Sequence, residues 1–105
     1  MAKVVYNACF GGFSLSPDAV RLGRKISGNP KWADADEKYG FIEGIERHDT
    51  VLVQVVEELG RAAASGSCAK LAIKEVPSGT LYRIDEYDGS ETVMTNSDYD
   101  WIVAP

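Results

Sequence analysis

The sequence predicts an α+β domain: a small, mainly antiparallel sheet, made of an N-terminal strand and a C-terminal meander, with two helices packed against it. Three observations lead to this prediction. A β-branched run begins the chain, two capped amphipathic segments lie in its middle, and short strand-like runs separated by turn residues fill its last third. A chain of 105 residues is expected to form a single domain over residues 1–105.

The first strand and the first helix are predicted from local signals. Residues 3–9 are rich in β-branched and aromatic side chains, which favour a strand. Ser16 is a good N-cap and Pro17 a good first helical residue, so a helix is expected over 17–27. Residues 31–48 are acidic and glycine-containing and are predicted to form a long loop, with a short strand near Tyr39 to Ile42.

The second helix is predicted over Thr50 to Leu59, with Asp49 as its N-cap and an apolar face at helical spacing. The small-residue stretch 62–67 is expected to prolong this helix and then turn. Three strands follow, at 70–76, 81–87 and 91–95, and Asp-Gly at 88–89 is a strong hairpin signal between the last two. The apolar tail 96–105 is expected to pack on the core or on another subunit.

Composition and charge narrow the class of partner. The net charge of −5 argues against a long nucleic acid, whose binding needs many Lys and Arg contacts to phosphate, but it permits a local pocket for a small anion. No apolar run is long enough to span a membrane, and no signal-peptide pattern begins the chain, so a cytoplasmic protein is expected. One histidine and two separated cysteines predict no metal site and free thiols at Cys9 and Cys68. No cofactor is predicted.

The segment around Gly11 and Gly12 is the main candidate for ligand binding. Paired glycines let a backbone approach a ligand closely, and a helix start follows at once, which favours an anion. Phe10 and Phe13 flank the glycines and offer flat apolar surfaces, while Ser14 adds a hydroxyl. The alternative is that the glycines serve the backbone angles of a strand-to-helix turn and that the two phenylalanines enter the core.

Catalysis receives little support from the residues. Cys9 lacks the downstream arginine of a phosphatase loop, so a structural thiol is the favoured interpretation. His48 is the single histidine and lies before a helix, where a surface or capping role is more common than a base. The neighbouring carboxylates Glu57 and Glu58 lie on the solvated face of their helix. No catalytic residue is predicted.

Four motifs in order carry a resemblance over most of the chain: N-A-C-F-G-G-F-S-L-S, R-H-D-T-V-L-V-Q-V-V-E-E-L-G, S-G-S-C-A-K-L and E-Y-D-G. They resemble a family of small phage and prophage proteins with the pattern C-[FY]-G-G-F-x-L-S and an E-Y-D-G hairpin. This family is similar to the phage sponges that counter Thoeris immunity. Where the family pattern ends in a basic H-R-x-W, this chain has S-D-Y-D-W at 97–101, without the arginine.

The resemblance implies a phage anti-defence protein in the cytoplasm of an infected bacterium. Thoeris sponges are oligomeric and bind cyclic ADP-ribose isomers without cleaving them, and some hold cyclic oligonucleotides at a separate site. The expected function is therefore non-catalytic sequestration of a nucleotide-derived immune signal by a homo-oligomer. The alternatives are a nucleotide-hydrolysing enzyme and a phage protein that blocks a host protein by direct contact.

Hydrogen-bond donors, aromatic rings and arginines make up the candidate ligand site. The glycines and the serine would bring donors to phosphate, the aromatic residues would stack on a base, and the arginines would neutralise charge. The candidate ligand-binding residues are Phe10, Gly11, Gly12, Phe13, Ser14, Arg24, Arg47, Arg83, Tyr87 and Trp101.

Overall fold

The computed structural model describes residues 1–95 and Ala104. Within these residues, four strands and four helices follow one another in the order β1, α1–α4, β2–β4. The strands are β1 (Ala2–Asn7), β2 (Leu71–Val76), β3 (Tyr82–Tyr87) and β4 (Ser90–Thr95). The helices are α1 (Pro17–Ile26), α2 (Pro30–Ala33), α3 (Thr50–Leu59) and α4 (Arg61–Ala64). The predicted α+β class is confirmed.

The strands form two antiparallel pairs. β1 pairs with β2, with Ala2 opposite Val76 and Asn7 opposite Leu71. β3 pairs with β4 in the hairpin that Asp-Gly at 88–89 predicts. Within residues 1–95, β2 therefore bonds to the N-terminal strand and not to β3, so the strands form two two-stranded sheets where a single meander was expected.

Alternation along β1 decides how the layers stack. Val4 and Val5 are both buried, but successive side chains of a strand point to opposite faces. Val5 belongs to the main core with the helices, whereas Val4 packs with Val76 and Val93 in a smaller core. The β1–β2 pair thus lies between the helices on one side and the β3–β4 hairpin on the other.

Both predicted helices are capped as the sequence indicates. The Ser16 hydroxyl accepts from the Ala19 amide at 3.1 Å, and Pro17 begins α1. The Asp49 carboxylate accepts from the amides of Val51 and Leu52, each at 3.0 Å, and satisfies two donors at the start of α3.

The region 31–48 departs from the predicted loop in its first residues, because α2 occupies Pro30–Ala33. Trp32 of this short helix is fully buried in the main core. Its ring lies so close to Gly23 of α1 that a Cβ there would be 2.0 Å from it. The short strand expected near Tyr39 is reduced to one bridge between Asp36 and Phe41. Tail residues 96–103 and Pro105, including the candidate Trp101, lie outside the described residues.

Candidate functional site

The side chain of Asn7 joins three segments, and we call this contact region the Asn7 junction. Its Nδ2 donates to the carbonyl oxygens of Cys9 at 2.6 Å and Gly89 at 2.8 Å. Its Oδ1 accepts from the Lys70 amide at 2.8 Å. Asn7 is fully buried, and a buried amide is costly unless it is hydrogen-bonded. The junction therefore holds the glycine loop against the turn at 88–89.

Close backbone approach explains the glycines of this region. A Cβ on Gly11 would lie 1.6 Å from the Cys68 carbonyl oxygen, and one on Gly89 would lie 2.3 Å from that of Phe10. Gly12 has open space around it but a φ of +89°, which side-chain-bearing residues rarely adopt. The turn-geometry alternative thus accounts for both loop glycines. A ligand role for their amides stays a prediction.

Arg47 is engaged in an internal ion pair. Its Nη1 and Nη2 donate to the two carboxylate oxygens of Glu91 at 2.6 and 2.8 Å, and its guanidinium lies 3.6 Å from the centre of the Phe13 ring. Glu91 also accepts from the Asn7 amide at 2.8 Å. Arg47 and Phe13 are thus brought together, but in a contact that neutralises the guanidinium charge within the protein.

The other predicted site residues are distributed over several contacts. Arg24 donates to the carbonyl oxygens of Trp32 and Ala35, where it supports the end of α2. Arg83 forms an ion pair with Asp85 at 2.7 Å on the exposed hairpin. Phe10 and Tyr87 are 67% and 79% exposed, which leaves both rings accessible.

Ser14 lies against the segment that precedes β2. A Cβ on Gly66 would lie 2.0 Å from the Ser14 hydroxyl oxygen, and the Ser14 carbonyl accepts from the Gly66 amide at 3.0 Å. The structure therefore brings the loop together with the S-G-S-C segment and the hairpin turn. Arg47 and Arg83 line one open pocket beside Tyr82, whereas Arg24 lies at the end of α2.

A concave surface outside the predicted site is formed by the first residues of β1, one face of α3 and the β2–β3 turn. We call it the α3 groove. Its volume is about 580 Å³, and more of its lining is apolar than polar. Its walls include Lys3, His48, Val53, Glu57, Pro77 and Tyr82.

His48 and Tyr82 form the polar end of the α3 groove. The His48 Nδ1 and the Tyr82 hydroxyl lie 2.6 Å apart, and the two rings meet edge to face. Burial raises the pKa of the Tyr82 phenol above its ordinary value, and the charge of Glu46 adds to this effect. At neutral pH the phenol therefore keeps its proton, and its oxygen is in hydrogen-bond contact with Nδ1 of His48.

Lys3 and Glu57 form a second polar element of the groove. The Lys3 ammonium lies 2.8 Å from the Glu57 carboxylate. The hydrogen bond and the charge of Glu57 raise the pKa of Lys3, so its ammonium stays charged. Both side chains are exposed, and exposed ion pairs are weak enough to rearrange when a ligand arrives.

Sequence reasoning assigned His48 to a surface or capping position and noted Tyr82 as a stacking surface without including it among the candidate site residues. The structure gives the capping role to Asp49 and places His48 against a tyrosine 34 residues further along the chain. No local sequence pattern predicts a contact between residues so far apart in the chain. The one available signal was the position of R-H-D immediately before a helix.

No protein-family model, curated protein or solved structure matches this chain. Arguments about its function therefore depend on its own residues. In the described part of the chain, no helix is both long and apolar enough to cross a bilayer. Within the same residues, no cluster of three or more His, Cys, Asp or Glu side chains is placed to hold a metal ion.

Proposed function

We propose that this protein binds a nucleotide-derived small molecule in the α3 groove and holds it without cleaving it. The observation that carries the proposal is the groove itself, in which apolar walls of a suitable size meet a hydrogen-bonded His–Tyr pair and a lysine. Small-molecule sites are typically concave and mostly apolar, with a few convergent polar groups.

The size and the walls of the groove suit a nucleotide. Its volume of about 580 Å³ falls within the range of roughly 300–1,000 Å³ that is common for ligand sites. Val53 and Pro77 offer apolar surface, while the rings of His48 and Tyr82 are flat groups on which a base can pack.

The polar groups suit a ligand that carries a phosphate. Within residues 1–95 the Lys3 ammonium makes one hydrogen bond, to Glu57, and an ammonium has three N–H donors. A phosphate placed beside it would gain a charge-assisted hydrogen bond. By contrast, the loop at Gly11 and Gly12 faces the acidic E-Y-D-G turn, and Arg47 beside it is held by the buried Glu91. Lys3 is paired as well, but its pair with Glu57 is more exposed and can open to a ligand, so the groove is the more favourable place for an anion.

The state of Tyr82 favours binding over cleavage. A phenol with a raised pKa is a hydrogen-bond donor at neutral pH and a poor nucleophile. The same phenol is in hydrogen-bond contact with Nδ1 of His48, so that nitrogen is engaged within the protein. These two groups can orient a ligand without attacking it.

The resemblance to Thoeris sponges supplies the biological role in the proposal. A phage protein that sequesters a cyclic ADP-ribose isomer would deprive the immune effector of its signal. Such a role needs tight, slowly released binding and a protein, proposed to be a homo-oligomer, that is present in stoichiometric amounts. Cyclic ADP-ribose isomers are therefore the first ligands to test, followed by cyclic oligonucleotides.

A thermal-shift titration with groove and loop variants tests the proposal. A ligand at one hundred times its Kd stabilises the folded state by about 2.7 kcal/mol, which raises Tm by roughly 10–20 °C in a domain of this size. We expect Lys3→Met and Tyr82→Phe each to weaken the apparent affinity, obtained from the titration of the shift, at least tenfold. Lys31→Met and Tyr39→Phe are matched controls at exposed positions outside the groove and should leave it unchanged.

Two outcomes of the titration would redirect the assignment. Loss of the shift in Phe10→Ala, with retention in both groove variants, would place the ligand at the glycine loop. A shift in none of the proteins, with any of these nucleotides, would contradict small-molecule sequestration and favour direct contact with a host protein. In either case each variant must first show cooperative unfolding without ligand.

A further inference from the structure

Cys9 and Cys68 lie side by side at the Asn7 junction. The Cys9 thiol lies 3.3 Å from the Cys68 carbonyl oxygen, and both cysteines are free. Cys9 is half-buried, whereas Cys68 is exposed. We propose that the two thiols are a redox pair, which a small-molecule disulfide such as oxidised glutathione converts into an intramolecular disulfide. This inference does not depend on the ligand of the α3 groove.

The pairing of β1 with β2 brings the two cysteines together. Asn7 lies opposite Leu71, and the Ala8 amide donates to the Lys70 carbonyl at 2.8 Å, so the two chains run side by side past the end of the sheet. This register places Cys9 opposite Ala69, so Cys68 lies one residue further out and diagonally from Cys9. Gly11 also lies against Cys68, because a Cβ added to Gly11 would be 3.0 Å from the Cβ of Cys68.

The distance is compatible with a disulfide after a small adjustment. A sulfur 3.3 Å from a carbonyl oxygen lies at most about 6 Å from the Cα of that residue, because standard bond lengths place the two atoms about 2.4 Å apart. The Cα of Cys9 lies about 3 Å from its own sulfur, so the two Cα atoms are at most about 9 Å apart, whereas a disulfide needs about 4.4–6.8 Å. Closure therefore takes rotation of the exposed Cys68 side chain and an approach of the glycine-containing loop to Cys68.

The reaction consists of two thiol–disulfide exchanges. The thiolate of the exposed Cys68 attacks one sulfur of oxidised glutathione, forms a mixed disulfide and releases one glutathione thiolate. The thiolate of Cys9 then attacks the sulfur of Cys68 and displaces the second glutathione thiolate. The two protons from the cysteine thiols are taken up by the two glutathione thiolates. The protein loses two electrons, and oxidised glutathione gains them.

The new bond would connect the segment before α1 to the segment after α4, so it would enclose all the helices of the described chain. A cross-link over such a long stretch removes conformational entropy from the unfolded chain. We expect it to raise Tm by roughly 8 °C or more, given the stabilisation typical of disulfides and the size of the domain.

Equilibration in a glutathione redox buffer, followed by an acid quench and intact-mass measurement, tests the pair. We expect the wild-type protein to lose two hydrogens and to carry no glutathione. The variants Cys9→Ser and Cys68→Ser should each gain one glutathione on the remaining cysteine. A wild-type protein that accumulates glutathione on both cysteines, or cross-links only to a second copy, would overturn the proposal.

Two comparisons separate native geometry from chain flexibility. In urea, the equilibrium ratio of protein with the intramolecular disulfide to protein carrying glutathione should be at least tenfold lower than in the native protein. In the control Ser67→Cys, Cys68→Ser, which moves the thiol by one residue, closure should also fall at least tenfold. Equal closure in the native and unfolded protein, or in the control, would show that the folded structure does not pair these thiols.

Discussion

Replacing Glu91 with Gln removes the charge that Arg47 requires while keeping an acceptor for the Asn7 amide. Both oxygens of Glu91 hold the guanidinium, and the side chain of Glu91 is only 7% exposed. The variant leaves the Arg47 cation without its partner on the face of the Phe13 ring. The structure therefore predicts a large loss of stability from a nearly isosteric change.

The magnitude follows from the burial of the pair. Removing one partner of a fully buried ion pair costs about 3–5 kcal/mol, because a charge is left uncompensated. Arg47 is 23% exposed, so water can restore part of its solvation, and we expect a loss of about 2–4 kcal/mol. A domain of this length is stable by only about 5–15 kcal/mol, and the loss corresponds to a Tm lower by roughly 10–25 °C.

Urea unfolding followed by far-ultraviolet circular dichroism measures this loss. Asp85→Asn, which removes the partner of Arg83 on the exposed hairpin, is the matched control and should cost less than about 1 kcal/mol. The double variant Arg47→Met, Glu91→Gln should lose less than the sum of the single variants, because no unpaired cation remains. A Glu91→Gln protein within about 0.5 kcal/mol of the wild type would refute the internal role of Arg47.

The same reasoning predicts three further results. Asn7→Ala should lower the unfolding free energy by about 3 kcal/mol or more in urea denaturation, since three hydrogen bonds at a buried site are lost. Gly11→Ala should destabilise the protein far more than Gly12→Ala, because only a side chain at position 11 overlaps a neighbouring carbonyl oxygen. Gly12→Ala adds about 1 kcal/mol of backbone strain. Equal urea midpoints of the two variants would contradict this prediction. The pKa of Tyr82 is higher in the folded than in the unfolded protein, so its contribution is complete below the ordinary value of 10.0 and is lost as the pH rises through the raised pKa. Tyr82→Phe should therefore show a shallower decline of stability in alkaline solution than the wild type, and identical slopes would exclude this assignment.

The parts of the fold that were predictable have local causes. Ser16 and Pro17 start α1, Asp49 caps α3, and Asp-Gly at 88–89 closes the β3–β4 hairpin; in each case the signal and its effect lie within four residues. The α2 helix begins with a local signal too, an Asn29 N-cap followed by Pro30, but one turn is too short to show a helical period, and burial of Trp32 against α1 supplies the rest.

The pairing of the strands and the chemistry of the site were less accessible. β2 is attached to β1 rather than to the strand that follows it, because Val4 and Val76 bury a common face against the hairpin. The partner of Arg47 lies 44 residues away in the sequence, at Glu91. An arginine that appears free in the sequence can thus be fully engaged in the fold, and only tertiary structure reveals it.

Mass analysis of a ligand recovered from the protein tests the central proposal most directly. Wild-type protein is equilibrated with a substoichiometric amount of a cyclic ADP-ribose isomer, separated from free ligand and denatured. The proposal predicts that the added ligand is recovered intact and in full from the wild-type protein. It also predicts that Lys3→Met retains at least tenfold less ligand than Lys31→Met. Recovery of a hydrolysed product would identify an enzyme, and an equal yield from the two lysine variants would contradict binding in the α3 groove.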